Sequence, residues 1–231
     1  MTYDISLVLF LAAIAFTFFA QKSVRTNFKI YSRVRNACRI TGAEAARKVL
    51  DANGLGSVRI EHIKGSLTDH YDPRDGVLRL SDGVYAVDSV AAVSVACHEA
   101  GHALQHAEGY RPLKTRNTIV PVVNFASRSC WLLIFLGLAM TAMESYLGDV
   151  LFTVGVLMFV AVIIFHAITL PVEFNASERA LKQMEATGVI RPAEEEGAKK
   201  VLRAAAMTYV ASLAVAVANL ARVLAVRGRN D

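Results

Sequence analysis

Cysteine and proline are scarce in this chain of 231 residues, which has three of the former and five of the latter. The odd set Cys38, Cys97 and Cys130, with no CxxC pair, cannot staple a disulfide scaffold and suits polar parts in a reducing cytosol. So little proline, with only 14 glycines, excludes a collagen-like or low-complexity disordered chain. Charged residues make up only 19%, and 25 basic against 20 acidic side chains leave a net charge of +5. The basic residues gather beside apolar segments instead of forming a stripe interleaved with aromatics, so nucleic acid is not an expected partner. Apolar residues are what the chain has in plenty, at 54%. A water-soluble domain of this length seldom needs so many, so a membrane protein is expected, with the lipid bilayer as its first partner.

Residues 5–20 hold no charge, and as a helix with their flanks they nearly cross a hydrocarbon layer of about 30 Å. Asp4 precedes them, whereas Lys22, Arg25, Lys29, Arg33, Arg35 and Arg39 follow with no acid among them. That order predicts an uncleaved anchor with its N-terminus outside. A second run covers 130–143, lengthened by 119–126 with Arg128 snorkelling, and a third covers 150–171. The turn between them, 144–149, has no Lys or Arg, while Arg111, Lys114, Arg116 and Arg128 precede the pair and Arg179 and Lys182 follow it. The expectation is a transmembrane hairpin with its tip outside and its flanks cytoplasmic. The last apolar segment, 207–226, has a narrow polar stripe of Thr208, Ser212, Asn219 and Arg222. A crossing there would leave Arg227 and Arg229 outside, so three spans are expected, with four as the alternative. The expected divisions are an anchor (1–21), a cytoplasmic part (22–116), the hairpin (117–171), cytoplasmic helices (172–206) and a membrane-associated C-terminal helix (207–231).

Thr41 and Glu44 form a capping box that opens a helix running to about Ala52 and stopping at Asn53 and Gly54. Val58, Ile60 and Ile63, then Val77, Leu78 and Leu80, predict two short strands around the turn residues 72–76. From Asp88 or Ser89 an Ala- and Val-rich helix is expected to run to Gly109. A further helix is expected to begin near Pro171 or Val172 and end at Gly188, and another to open at Pro192. Glu194, Glu195 and Glu196 in its first turn read as helix-dipole partners, not a metal site.

His98, Glu99 and His102 spell HExxH. On a helix, residues four apart share a face with about 5–6 Å between Cβ atoms, so both imidazoles can bind one tetrahedral Zn2+, and Glu99 projects beside the remaining position. A hydrolytic zinc takes a third protein ligand. His106 lies a further turn along the same axis and cannot converge without bending the helix. The position six residues after His102 is Glu108, which excludes a third histidine at that spacing. Glu173 is the better candidate, standing where the third span returns to the cytoplasmic side at a helix start; Glu178 and Glu185 are less well placed.

Together, HEAGHALQ, LTDHYDPRDGVLRLS and LPVEFNASERAL resemble the neutral zinc metallopeptidases of the YugP type, bacterial membrane proteins. The resemblance covers most of the chain. It is looser to the Ste24 and HtpX class of membrane peptidases, whose ExxxD motif is met here by Glu173 with Ser177 at the Asp position. The resemblance implies a zincin-like α+β catalytic domain with a small sheet, His98, His102 and Glu173 as zinc ligands, and Glu99 as the catalytic carboxylate. Peptide bond hydrolysis would follow, with the metal polarising the scissile carbonyl and Glu99 moving the proton from water to the leaving amine. Asn175 or Ser177 would orient a ligating imidazole, and His70, Tyr71 or Tyr209 would supply a donor to the oxyanion. The strand 77–80 would offer an edge to an extended substrate, or else sit in the core. His166 would share the face of Glu173 if the helix continued through Pro171. The rival reading is a catalytically silent zinc-containing membrane adaptor or chaperone-like protein. An intramembrane protease is excluded because the uncharged stretch before His98 covers only 89–97.

Overall fold

The computed structural model describes residues 3–228. Its elements run α1 (Tyr3–Tyr31), α2 (Gly42–Ala52), β1 (Arg59–His62), β2 (His70–Asp72), β3 (Val77–Leu80), α3 (Val90–Ala107), α4 (Arg111–Thr141), α5 (Tyr146–Ala186) and α6 (Pro192–Arg227). Contacts divide the chain into two units. One contains the chain up to Phe19, Thr115–Leu170 and the chain from Thr208 onward; the other contains Ala20–Lys114 and Pro171–Met207.

The first unit is all helix. Four helices, Asp4–Tyr31, Arg111–Thr141, Tyr146–Ala186 and Pro192–Arg227, are long and apolar enough to cross a membrane. They turn large apolar side chains outward, among them Phe18, Phe125, Leu132, Phe135 and Leu157, a pattern that suits lipid as solvent. Inside, Cys130, Ile134, Phe152, Phe159 and Ala216 make a small core. The hairpin of α4 and α5 closes on glycine: a Cβ at Gly137 would sit 2.4 Å from Phe152 N, and one at Gly155 would sit 2.8 Å from Ile134 Cγ1. Small residues give a helix pair in lipid its van der Waals contact where no hydrophobic drive exists. Arg227 Nη2 lies 2.7 Å from Asp149 Oδ1, and its guanidinium stands 5.0 Å above the Phe152 ring. Arg222 stands 5.5 Å above the ring of Phe10.

The second unit is α+β. The Thr41 hydroxyl accepts from Glu44 N at 3.2 Å, and Glu44 Oε2 accepts from Thr41 N at 2.7 Å, completing the capping box. The helix α2 ends at Asn53, followed by Gly54 with φ +73°. Its buried face, Ala45, Ala46, Val49 and Leu50, meets Leu78, Leu80 and Val84, then Val93, Ala96 and Cys97 of α3 and Ala180 and Met184 of α5. Ser89 caps α3 through Ala92 N at 3.1 Å, while the carbonyl of Asp88 accepts from Asn36 N instead.

Four sequence expectations change. A third strand, β2, exists; the sheet order is β1-β3-β2, with β1 parallel and β2 antiparallel to β3. Its three residues, His-Tyr-Asp, are too few and too polar to show an alternating pattern. The strand 77–80 is therefore the central one, with both edges paired, and offers no edge to a substrate. No helix begins at Pro171, because α5 runs through it without a break. Proline removes a single hydrogen bond, whereas ending a helix among apolar neighbours would strand several peptide groups away from water. Finally, residues 207–226 are the continuation of α6 from Pro192, not a separate helix. Glu194 caps that helix, accepting from Arg191 N and Ala37 N at 2.7 Å each, and Glu195 and Glu196 pair with Lys199 and Lys200. Arg229, which weighed against a fourth crossing, lies outside the described residues.

Candidate metal centre

The site lies wholly within the α+β unit, where α3 crosses the segment of α5 beyond Pro171. Eighteen residues of α3 place His98 and His102 one turn apart, their rings edge-on with centroids 4.8 Å apart. Glu173 is delivered from α5. It is mid-helix, not at a helix start, and 3% exposed. Its Oε2 stands 3.3 Å from His98 Nε2 and 3.6 Å from His102 Nε2. One carboxylate oxygen thus faces two ring nitrogens, a grouping that could hold a metal ion.

The spacing can be tested against zinc. Bonds of about 2.0–2.1 Å meeting at a tetrahedral angle hold donor atoms about 3.3 Å apart. One of the two separations equals that figure and the other exceeds it by 0.3 Å, and the three donor atoms all lie within 4.8 Å of one another. Two imidazoles and a carboxylate are also the donor set of catalytic zinc sites that leave a coordination position open. The residues fit the ion.

This convergence depends on Gly101, the residue before His102. A Cβ there would lie 2.5 Å from the carbonyl oxygen of Ala176, so only glycine lets α3 come this close to α5. Cys97, beside His98, is fully buried and is not one of the three donors; burial pushes its thiol up, so it stays neutral.

The surroundings are polar and interlocked. Ser177 Oγ is 3.2 Å from His98 Nδ1. Asn175 reaches no ring itself; its Oδ1 accepts from Gln105 Nε2 at 2.9 Å, and Gln105 Oε1 is 3.0 Å from His102 Nδ1. Burial lowers the basicity of His102, but its hydrogen bond to Glu173 and the charges of Glu99 and Glu173 outweigh it, leaving its pKa raised. Glu99 is half-buried, its Oε2 accepting from the backbone amide of Tyr71 at 3.0 Å. That amide belongs to β2, the edge strand, so the outer edge of the sheet runs beside Glu99.

The other residues singled out from sequence are dispersed. The Tyr71 hydroxyl pairs with His106 Nδ1 at 2.9 Å, and burial together with Asp72 raises the Tyr71 pKa. His106 is exposed and outside the donor group. His70 is exposed with Nδ1 2.8 Å from Thr68 O. Tyr209 lies on α6 in the helical unit. Because α5 continues through Pro171, His166 and Glu173 stand seven residues apart on one helix. Sequence reasoning passed over Gln105 and Arg179. Gln105 had a readable signal, since three residues after His102 on a helix it shares that face.

Comparison with known proteins agrees with this chemistry. Residues 6–228 match the family described as "Putative neutral zinc metallopeptidase". A protein of Bacillus subtilis (strain 168) named "Putative membrane protease YugP" is 48% identical over 223 residues, covering 96% of each chain. No solved structure matches significantly. With nearly its whole length matched, and with a His, His and Glu cluster spaced for a single ion, the chain belongs to the neutral zinc metallopeptidase family of membrane proteins.

Proposed function

We propose that this chain is a zinc-dependent endopeptidase of the bacterial cytoplasmic membrane, hydrolysing protein or peptide substrates on the cytoplasmic side. The observation that carries the reading is the convergence of two ring nitrogens and one carboxylate oxygen at 3.3 and 3.6 Å. His98, His102 and Glu173 would hold the ion in a gluzincin-like set. Zinc, when bound, supplies a Lewis acid that polarises a carbonyl and acidifies water.

The chain's own residues do the rest. Glu99 is general base and then general acid: it takes a proton from the attacking water and delivers it to the departing amine. The Tyr71 amide holds the Glu99 carboxylate beside the β2 edge, where an extended backbone can lie as an added strand. Ser177 and Gln105 hold the outer nitrogens of the two rings, so that both Nε2 atoms face Glu173. The distribution of Lys and Arg supports a cytoplasmic placement for the α+β unit and an outer placement for the hairpin tip.

The test is Glu99→Gln in the full-length protein. It keeps the ligand set, so zinc should stay near one equivalent while cleavage is lost. Retained cleavage would remove Glu99 from its role. Glu173→Ala should lower zinc content, and normal metal and activity there would defeat the third-ligand assignment. A wild-type protein that holds zinc yet shows no chelator-sensitive cleavage of unfolded or membrane substrates would favour the adaptor reading instead.

A further inference from the structure

A chain of hydrogen bonds behind His102, buried at Gln105, has a direction set from its far end. Arginine does not give up its proton inside proteins, so Arg179 Nε–H is a donor with no alternative. It lies 2.7 Å from Asn175 Oδ1, which makes that atom the carbonyl oxygen of the amide. The same oxygen faces Gln105 Nε2 at 2.9 Å, and Gln105 Nε2 also faces the carbonyl of Val172 at 2.8 Å. Opposed by two acceptors, that atom must be the NH2 group. Gln105 Oε1 is then the acceptor 3.0 Å from His102 Nδ1, and the hydrogen must reside on Nδ1. His102 Nε2 is then the nitrogen left to bind a metal on the side of Glu173.

We propose that Arg179, acting through Asn175 and Gln105, is a positioning residue that locks the His102 imidazole in the tautomer able to bind a metal through Nε2. Gln105 is 0% exposed, so a reversed amide would oppose NH2 to Nδ1–H and oxygen to two oxygens with no water to rescue them. Arg179 is itself anchored: its Nη1 lies 2.6 Å from Glu108 Oε1, and its guanidinium stands 5.8 Å above the Tyr110 ring. His98 has no such lock. Its outer partner is the Ser177 hydroxyl, which can donate or accept with equal ease. The two ligating rings therefore differ, one held by a hydroxyl that follows either tautomer and one by a relay that permits a single state. The relay joins α3 to α5 beside the metal face, through Gln105 three residues after His102 and Val172 and Asn175 on either side of Glu173, tying the direction of one ligand to the packing of both helices.

This inference rests on the zinc reading of the site, and the experiment separates the two. Zinc affinity of the detergent-solubilised full chain is measured by competition with a chromophoric chelator. In parallel, 15N-histidine spectra of the zinc-free protein report whether His102 Nδ1 carries a hydrogen, which it should whether or not Nε2 is also protonated. Arg179→Met removes the fixed donor, and Gln105→Leu removes the acceptor that faces His102 Nδ1. Both should weaken zinc binding about 10- to 100-fold and speed exchange of the Nδ1 hydrogen. Asn175→Asp keeps an acceptor in the same place and should bind zinc within about threefold of wild type. A purely packing role for Asn175 would not distinguish that carboxylate from the disrupted variants. If Arg179→Met does not fold, Gln105→Leu against Asn175→Asp decides alone. The relay is overturned if His102 in the wild type lacks the Nδ1 hydrogen, or if folded Arg179→Met or Gln105→Leu binds zinc normally. A wild type that binds no zinc would sink the metal reading, and the Nδ1 measurement would still judge the relay.

Discussion

Replacing Gly101 with alanine tests the geometry of the site with one methyl group. The new Cβ would lie 2.5 Å from the Ala176 carbonyl oxygen, 3.2 Å from its carbon and 3.4 Å from its Cα. Carbon and oxygen ordinarily approach to about 3.3–3.6 Å, so α3 and α5 must separate by about 1 Å. No side chain can rotate away, because the obstacle is helical backbone. Alanine's better helix propensity returns about 1 kcal/mol, against an overpacking cost of about 1–3 kcal/mol, so the zinc-free fold should lose at most about 2 kcal/mol. The larger effect falls on the metal. The separations of 3.3 and 3.6 Å between Glu173 and the two rings already reach what a tetrahedral ion spans, and another ångström breaks the set. Activity should fall about a hundredfold. The assay pairs zinc content after dialysis against a weak chelator with thermal unfolding of the zinc-free chain. Gly56→Ala is the control, since its Cβ would meet only Asp51 Oδ1 at 3.5 Å. Wild-type zinc content and activity in Gly101→Ala would refute the claim that close approach of α3 and α5 assembles the site.

Thr41→Ala removes the hydroxyl of the α2 capping box and should cost about 1 kcal/mol in denaturant unfolding without changing zinc content. Gly137→Ala would put a Cβ 2.4 Å from Phe152 N and should force the hairpin helices apart, seen as a lower midpoint in detergent unfolding with the zinc site intact. Asp72 accepts side-chain and backbone hydrogen bonds from Arg74, with the charges of Arg74 and Arg79 adding, and its pKa is held down to about 2. A depressed carboxyl stabilises the fold above its unfolded pKa, about 3.9, and loses that contribution as pH falls toward 2. Arg74 is 87% exposed, so screening limits the effect to about 1 kcal/mol or less, and the stability gap between wild type and Asp72→Asn should narrow from pH 5 to pH 3. A gap that widens on acidification would reverse the assignment.

How far the fold can be read from the chain depends on how local each signal is. The capping box at Thr41, the Ser89 cap and the stop at Asn53 and Gly54 need only three or four neighbouring residues, and all are legible. The HExxH spacing is equally local. Glu173 is harder, because its arrival opposite His98 depends on α5 keeping helical phase through Pro171, where local rules place a break. Burial decides the matter: Val172, Ala176 and Ala180 are 0% exposed, and Thr169 bonds back to the Phe165 carbonyl. The strand β2 stays hidden because it is defined by its partners, β3 on one side and Glu99 on the other, and not by its own composition. Gly101 is visible as a residue, but its purpose is written in the backbone of Ala176, which lies 75 positions away.

The number of crossings turns on Arg227. Together with Arg229, it weighs against crossing at the outer end of a fourth span, which is why charge counting favours three. The structure gives it a partner: Arg227 Nη2 lies 2.7 Å from Asp149 Oδ1, and Thr141 Oγ1 shares that carboxylate oxygen at 3.1 Å. Asp149 lies in the first turn of α5 and Thr141 ends α4, so the C-terminal end of α6 is clasped to the hairpin tip. A paired charge contributes little net field, and the objection to crossing weakens accordingly. Four crossings then place both chain ends and the hairpin tip on one side. Labelling with a membrane-impermeant thiol reagent, after the three native cysteines are replaced, should modify Glu144→Cys and Gly228→Cys from the same side of intact vesicles. Lys48→Cys should react only once the vesicles are opened. If Gly228→Cys instead reacts together with Lys48→Cys, α6 does not cross, and the contact between Arg227 and Asp149 cannot be what holds its end.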